Sequence, residues 1–600
     1  MLNMFTPGGF VYCFWKTAKG RLIALLILVG AVQFPLVMTP DRFSFAGDVD
    51  LSLAYWEMVR RTIVEFYEFP FWGPWHHGGV PLFANPQVTV FGIELPCLLI
   101  FGTWYGWRIA VYLYCLYGAA GMFLFLGDCT KNPMGRFWGA AVFGLAGCIP
   151  SHSMMGHSSM VCITFLPWLL YFERRLNRSP GNALLLGVTA GMMLNQSLHY
   201  LALINCLMMV LFGLPLLMRH WREGKFWLKG MLAGFTFFAV CGYRLWMTLD
   251  YLGHYSREMD ERLSIPVKML LEGLIRPFVP LNRLVVQQGE LGLNWHEMGC
   301  YVGVIAVAFF LISLFPRRRW YHWGALAAAL LLLDSSSKFL PGYWLRMIPP
   351  FTSFFVITRW RFLLVFFLAV GVAAGFAWCW RRLPRFRKFL LLFPVLSCVG
   401  MAANVFGIYL GNGPWLSERE LLEYYAKLPR SSSVTEVIMP QIPSYVSVRH
   451  GLGQLNGYEP LLGYLYQTRF ASFPYGHPEY RGEFYSLQGR ARQTGWSPNR
   501  IDFQASAPDR VKINQNAGSY WRDERGEPLF PDYREFEESK PFLVDVAAGN
   551  GSIYCRPRFH EAGIALTLIA LAAAVLLWYL LAKPLSGGAR NGGAGRPGSL

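Results

Sequence analysis

The stretch "FAGDVDLSLAYW", residues 45–56, sets Asp48 and Asp50 one residue apart, a few positions beyond the first long apolar run. Paired carboxylates accept protons or hold hard cations, and few proteins place them beside a hydrocarbon boundary without a use. The loop after them, "PFWGPWHHGGVPLFANPQ", carries His76 and His77, then Gly78 and Gly79, which suit a tight turn. Further on, His157 stands in "MMGHSSM", His199 in "NQSLHY" and Glu297 in "NWHEMGCYVG". Arg257, Arg359 and Arg361 lie in or beside polar loops, where an anionic ligand, a loop carboxylate or a lipid headgroup would each account for them. A lone histidine at a helix end more often makes a structural hydrogen bond than binds a ligand, so His157 and His199 carry both readings.

The elements that must position these groups are membrane spans. Of the 600 residues, 54% are hydrophobic, 16% aromatic and only 15% charged, against about 25% charged in soluble domains. The net charge of +18 sits in short clusters between apolar runs, such as Arg174–Arg175, Arg317–Arg319 and Arg381–Arg382. Positive charge so placed retains loops in the cytoplasm and does not form a nucleic-acid surface. The 12 cysteines are scattered, nearly all in apolar runs, with no CxxC and no Cys/His spacing suited to zinc. They read as buried thiols. No GxxxxGK[ST] and no GxGxxG after a strand is present, which disfavours a nucleotide-driven pump.

A span needs roughly 20 apolar residues. Twelve candidates run over 20–39, 108–127, 135–151, 159–173, 181–197, 199–218, 227–248, 299–316, 320–334, 361–380, 388–410 and 562–582. The first lacks a small-residue cleavage site and reads as a retained anchor. The segment 88–104 decides the sidedness of everything after it. If it does not cross, the basic clusters fall on one side, so the positive-inside rule makes it a re-entrant or interfacial hairpin bent at Glu94 and Pro96. Segments 40–107, 249–298, 335–360 and 411–560 are then extracytoplasmic, and the N-terminus is cytoplasmic. After Asp50, the helical spacing of Leu51, Tyr55, Met58, Val59, Ile63 and Phe66, opposite Glu57, Arg60, Arg61 and Glu65, predicts an amphipathic helix lying in the interface. Between 411 and 560, "SYVSVRH", "RIDFQASA", "RVKINQN" and "FLVDVAAGNGSIY" alternate apolar and polar residues and predict strands. The expected architecture is an α-helical polytopic membrane protein of about 12 spans plus the re-entrant segment, closed by a β-rich domain over 411–561. A final span over 562–582 and a flexible cytoplasmic tail over 583–600 complete it.

Several of these pieces together resemble one family. "GDVDL", the "PFWGPWHHGGVPLFANPQ" loop and "LPCLLIFG" resemble the first outer loop of bacterial GT-C-type membrane glycosyltransferases, in particular the YfhO-like group implicated in lipid-linked sugar transfer to cell-envelope polymers. "GHSSMVCITFLPW", "EMGCYVG", "ITRWRFLLVFFLAVGVAAG" and the 495–563 region are similar to later parts of those chains, so the resemblance touches nearly the whole length. It implies a GT-C-like domain over 1–410 in a bacterial plasma (inner) membrane, with its catalytic loop at 40–107. The implied reaction moves a sugar from a polyprenyl phosphate to an envelope glycan, polymer or lipid, with inversion. A single carboxylate base then suffices, in contrast to hydrolases that need two carboxyl groups. Asp48, in the family's "GD" position, is the implied base, and Asp50 an orienting group. Either is a candidate ligand for Mg²⁺ or Mn²⁺. His76, His77, His157 and Glu297 are the implied acceptor or phosphate site, and Arg257, Arg359 and Arg361 the phosphate-binding groups. Two other function classes stay open from the residues alone. One is a transporter or flippase of lipid-linked glycans, which would show repeated halves and midplane charges; the other is a non-catalytic envelope scaffold.

Overall fold

The computed structural model describes residues 17–38, 48–196, 198, 200–254, 267–277, 295–316, 319–333, 347, 357–411, 417–438, 442–456, 472–530, 541–557 and 560–582. Arg257, His199 and the 583–600 tail lie outside the described residues.

Among the helices of the described residues are α1 (Ala18–Gln33), α2 (Val49–Val64), α3 (Glu94–Cys129), α4 (Pro133–Leu145), α5 (Cys148–Ser153), α6 (Trp295–Met298), α7 (Val304–Ile312), α8 (Trp320–Leu333), α9 (Arg361–Arg382), α10 (Ser444–His450) and α11 (His560–Ala582). Seven helices among the described residues are long and apolar enough to cross a membrane, within 18–38, 94–129, 201–220, 224–252, 361–382, 384–410 and 560–582. The segments predicted to span at 135–151, 159–173, 181–197, 299–316 and 320–334 form shorter or broken helices. α4, for example, stops where Ala146 turns extended, with ψ at 139°. α9 is the centre of the helical body. It is buried along nearly its whole length and packs against α4, α7 and α8, with Trp138 of α4 edge-on to Phe309 at 4.8 Å and to Phe376 at 5.7 Å. α11, by contrast, exposes Leu568, Ile569, Val575 and Leu580, an apolar surface suited to lipid.

The region around 88–104 bends, but at a different residue from the one expected. α3 turns sharply at Gly102, whose φ of 74° and ψ of 172° are open to glycine. A Cβ on Gly106 would lie 2.6 Å from the Cys97 carbonyl oxygen, whereas nine residues of straight helix would separate the two by about 13 Å. The chain therefore doubles back at Gly102 rather than at Glu94 and Pro96. Glu94 instead accepts the Tyr114 hydroxyl at 2.9 Å.

α2 forms where its periodicity predicts, but it does not lie with a polar face to water. Val49, Leu53 and Trp56 pack into the helical body, while Leu51, Tyr55, Met58 and Val59 pack into a second core with Ile501, Val511 and Trp521. Its polar side is buried too. Glu57 accepts two bonds from Arg60, one from Thr103 at 2.5 Å and one from Arg449 at 3.2 Å. Thr103 and Arg449 lie 46 and 392 residues away, so local spacing cannot reveal them. The helix is an internal strut between two cores.

The region outside the helical body, the outer region, holds a short parallel pair, β3 (Thr435–Val437) with β4 (Leu452–Gln454), and two antiparallel sheets. Three strands, β5 (Phe484–Ser486), β8 (Asp509–Asn516) and β10 (Pro541–Val546), pair in the order β10-β8-β5; four more, β6 (Ala491–Ser497), β7 (Arg500–Ala505), β9 (Trp521–Arg522) and β11 (Gly549–Cys555), pair in the order β6-β7-β11-β9. The alternation read in "RIDFQASA" is realised: Ile501, Phe503 and Ala505 point inward. "SYVSVRH" is not a strand but α10, ended by Gly451 in the left-handed region. Its valines and tyrosine are buried, and the carboxylate of Asp50 receives its first two amides, while Gln454 bonds Ser444, Ser447 and the Ile442 carbonyl.

Candidate active site

Asp48 is the residue before α2, and a tight approach of the 154–157 loop fixes it there. Its amide donates to the Met155 carbonyl at 3.1 Å, and the Ser52 hydroxyl donates to the Gly156 carbonyl at 2.8 Å. Gly156 has φ of 82°, and a Cβ there would lie 2.3 Å from the Val49 nitrogen. Only glycine allows this contact. It brings His157 to Asp48, with Nε2 3.0 Å from Oδ2.

Behind that pair lies a line of polar groups from three parts of the chain. His152, in α5, sets its Nδ1 2.8 Å from His157 Nδ1. Arg361, the first residue of α9, reaches His152 Nε2 and the His296 carbonyl with Nη2. Glu297, in α6, accepts from Arg359 Nη2 at 3.3 Å. An arginine can only donate, so His152 accepts at Nε2 and carries its proton on Nδ1. That proton goes to His157 Nδ1, and His157 donates from Nε2 to Asp48. One tautomer for each ring satisfies the whole line from Arg361 to Asp48.

The electrostatics arise from this geometry. Burial pushes the Asp48 carboxyl up, but the His157 hydrogen bond and the positive charge of Arg359 outweigh it and hold the group below its usual value. Burial likewise works against the Glu297 charge, and Arg359 with its neighbours holds it well below the ordinary range. Burial pushes His152 well down and His296 down to about 3, so both are neutral bases at physiological pH. The Asp48 side chain stays 37% exposed while that of Glu297 is 6% exposed. The line therefore presents one ionised, accessible carboxylate backed by buried charge.

Of the residues singled out from the sequence, Asp48, His157, Glu297, Arg359 and Arg361 converge here. Asp50, His76 and His77 serve elsewhere. Asp50 accepts the backbone amides of Ser444 at 2.6 Å and Tyr445 at 2.9 Å, closing the start of α10; loss of solvent pushes its carboxyl up against the pull of those amides. Asp48 and Asp50 thus do not converge on one ligand. His76 is fully buried, edge-on to Tyr55 at 5.5 Å and bridged to Gln454. His77 and Gly79 offer their carbonyls to Asn516, each at 2.8 Å. The loop around them is a short hairpin, β1 (Trp72–Gly73) with β2 (Val80–Pro81), turned through Gly78 and Gly79 at φ of 74° and 98°, as their sequence suggests. Its Trp72 indole donates to Gln515 at 3.0 Å and its Trp75 indole to the Ser433 carbonyl at 2.8 Å. The aromatic loop is a dock for the outer region.

Two site residues escape a reading of the sequence, His152 and His296. They stand five residues before His157 and one before Glu297, but both sit at the edge of apolar runs where a histidine carries little signal. Arg244, which the sequence places near a span end, is buried and donates to the Asn195 carbonyl at 2.6 Å and to the carbonyls of Asn85 and Val88, a structural use.

No family model matches the chain, and no curated protein does. Among solved structures it is similar to the arabinofuranosyltransferase AftD from Mycobacteria, with a TM-score of 0.45 and 13% identity over 72% of this chain and 31% of that one. The chain thus spans less than a third of AftD, and a likeness of this strength shows neither activity nor substrate.

Proposed function

We propose that the chain is a membrane glycosyltransferase of the GT-C type, YfhO-like. It moves a sugar from a polyprenyl phosphate to an envelope glycan, polymer or lipid on the extracytoplasmic face of the bacterial plasma membrane. In one inverting displacement, Asp48 takes the proton of the acceptor hydroxyl, the acceptor oxygen bonds to the anomeric carbon, and the bond to the phosphate oxygen breaks. The observation that carries the reading is the Asp48 carboxylate itself, ionised, accessible and held by His157 at the edge of the helical body. Asp48 Oδ2 is engaged, and Oδ1 is the oxygen assigned to the acceptor.

Two further features support the leaving side. Arg361 is buried, and its Nε and Nη1 meet no acceptor among the described residues; a phosphate that gains charge in the transition state is the natural partner for such donors. On the same side of α9, Leu364 and Leu368 line an apolar cavity of about 790 Å³ with Leu274, Phe310, Trp323 and Leu326, and it is open to the outside of the helical body. Leu364 comes one helical turn after Arg361. A phosphate at Arg361 would thus leave its hydrocarbon chain room along α7, α8 and α9.

The test is incubation of the purified chain with a panel of polyprenyl phosphate sugars and mass analysis of what is consumed. Consumption of one donor by the wild type, lost in Asp48→Asn with the fold intact, supports the reading. Full turnover by Asp48→Asn ends the base assignment, and movement of intact donor across vesicles with no new glycosidic bond ends the transferase.

A further inference from the structure

The line of polar groups behind Asp48 contains a second arrangement that glycosyl transfer does not require. One ligand atom from each of His152, His157, His296 and Glu297 lies within 4.8 Å of all the others. His152 Nδ1 and His157 Nδ1 are 2.8 Å apart, while His157 Nδ1 and His296 Nε2 stand 3.8 and 3.7 Å from Glu297 Oε1. The last two separations are too long for hydrogen bonds. They are close to the edges of a coordination tetrahedron, about 3.3 Å for metal–ligand bonds near 2.0–2.1 Å. We propose that His152, His157, His296 and Glu297 form a site for one transition-metal dication, zinc by its donor chemistry.

Three imidazoles and one carboxylate are a borderline-soft set that suits zinc. Magnesium and calcium require oxygen ligands in larger number, and the four donors supply oxygen only at Glu297. The neighbouring groups fit as well. His157 gives its outer nitrogen to the Asp48 carboxylate, the carboxylate–histidine–metal relation that fixes a ligand's tautomer and raises its basicity. His157 and His296 keep side-chain exposures of 14% and 11%, which leaves a way in for the ion from the Asp48 side.

Two contacts must adjust: the His152–His157 hydrogen bond opens from 2.8 Å as both Nδ1 atoms turn to the ion, and Arg361 shifts. With the ion on His152 Nδ1, the ring proton passes to Nε2, and Arg361 gives up that contact while retaining the His296 carbonyl. No proton is gained or lost in the exchange. The loaded centre then holds a dication and two arginines against the carboxylates of Asp48 and Glu297, a net charge of about +2 in a largely buried place, which calls for an anion beside it. On the transferase reading, that anion is the donor phosphate.

The test uses the full chain in detergent, carrying a tag without histidine, expressed with zinc and dialysed. Metal analysis is expected to find about one zinc per chain, lost in His152→Gln and His296→Gln and kept in His77→Gln. Asp48→Asn, which alters only the outer partner of His157, is expected to weaken zinc binding about 10–100-fold. Titration of the stripped wild type with Co²⁺ is expected to saturate at one equivalent with the visible bands of a tetrahedral site, and it decides the matter even where a variant does not fold. A wild type that holds no stoichiometric zinc and shows no such bands overturns the proposal, as does selective uptake of Mg²⁺ or Mn²⁺. Both readouts need no sugar, so they stand or fall apart from the transferase assay.

Discussion

The substitution Asp50→Asn isolates the contact that pins the outer region to the first loop. The carboxylate of Asp50 receives the amides of Ser444 and Tyr445 at 2.6 and 2.9 Å. Asparagine keeps one acceptor oxygen but turns an NH₂ toward the second amide, so one bond is lost and one donor faces another. A hydrogen bond to a charged group contributes about 1.5–3 kcal/mol. Part of this returns, because holding the carboxylate out of water is unfavourable, as its raised pKa records. A net loss of about 2 kcal/mol remains, which speeds local opening of α10 about 30-fold. The sign with pH is also fixed. A carboxyl whose folded pKa lies above its ordinary 3.8 contributes less stability as pH rises from 3.8 through the folded value, so acidification does not loosen this contact in the wild type. Amide hydrogen exchange of a peptide spanning 442–450, read in detergent at neutral pH, measures the effect. Unchanged exchange at Ser444 and Tyr445 in Asp50→Asn would refute the docking role.

Other consequences are as direct. Asp48→Asn is expected to slow sugar transfer by about 10²–10⁴; because the wild-type carboxyl is held below 3.8, the acid limb of its rate profile lies below that pH. Gly156→Ala places a Cβ 2.4 Å from the Asp48 carbonyl carbon, so it is expected to part His157 from Asp48 and cut transfer more than tenfold, ~1.4 kcal/mol or more, with helix content by circular dichroism unchanged. Glu57→Gln leaves Arg60 and Arg449 without their shared anion and is expected to cost about 3–5 kcal/mol, seen as an earlier thermal unfolding transition in detergent. Leu368→Trp fills the apolar cavity along α9 and is expected to raise KM for a long-chain donor about tenfold with kcat near wild type; an equal KM for long- and short-chain donors in both proteins would detach the cavity from the lipid.

The long helices are legible in the sequence because lipid imposes long apolar runs, and the strands β7 and β10 because alternation survives in half-buried sheets. What escapes is every contact made across hundreds of residues. The polar face of α2 carries the pattern of a helix lying at a surface, yet Arg449 and Thr103 cover it. "SYVSVRH" alternates like a strand, yet it is a helix whose first amides go to Asp50, 394 residues away from Ser444. In the site, Asp48, His157, Glu297, Arg359 and Arg361 are visible by type and by position at helix ends. The split between Asp48 and Asp50 is not, because two aspartates one residue apart on the same turn differ only in what the distant chain brings to each.

The clamp on the aromatic hairpin has a consequence for how the protein is made. Trp72 and its partner Gln515 are separated by 443 residues, which at about 5–20 residues per second takes roughly 20–90 s to synthesise. During that interval the indoles of Trp72 and Trp75 lack the acceptors that Gln515 and Ser433 supply, and a chain halted before residue 433 would lack both. A loop made hundreds of residues ahead of its partners is thus among the last parts of the fold to mature.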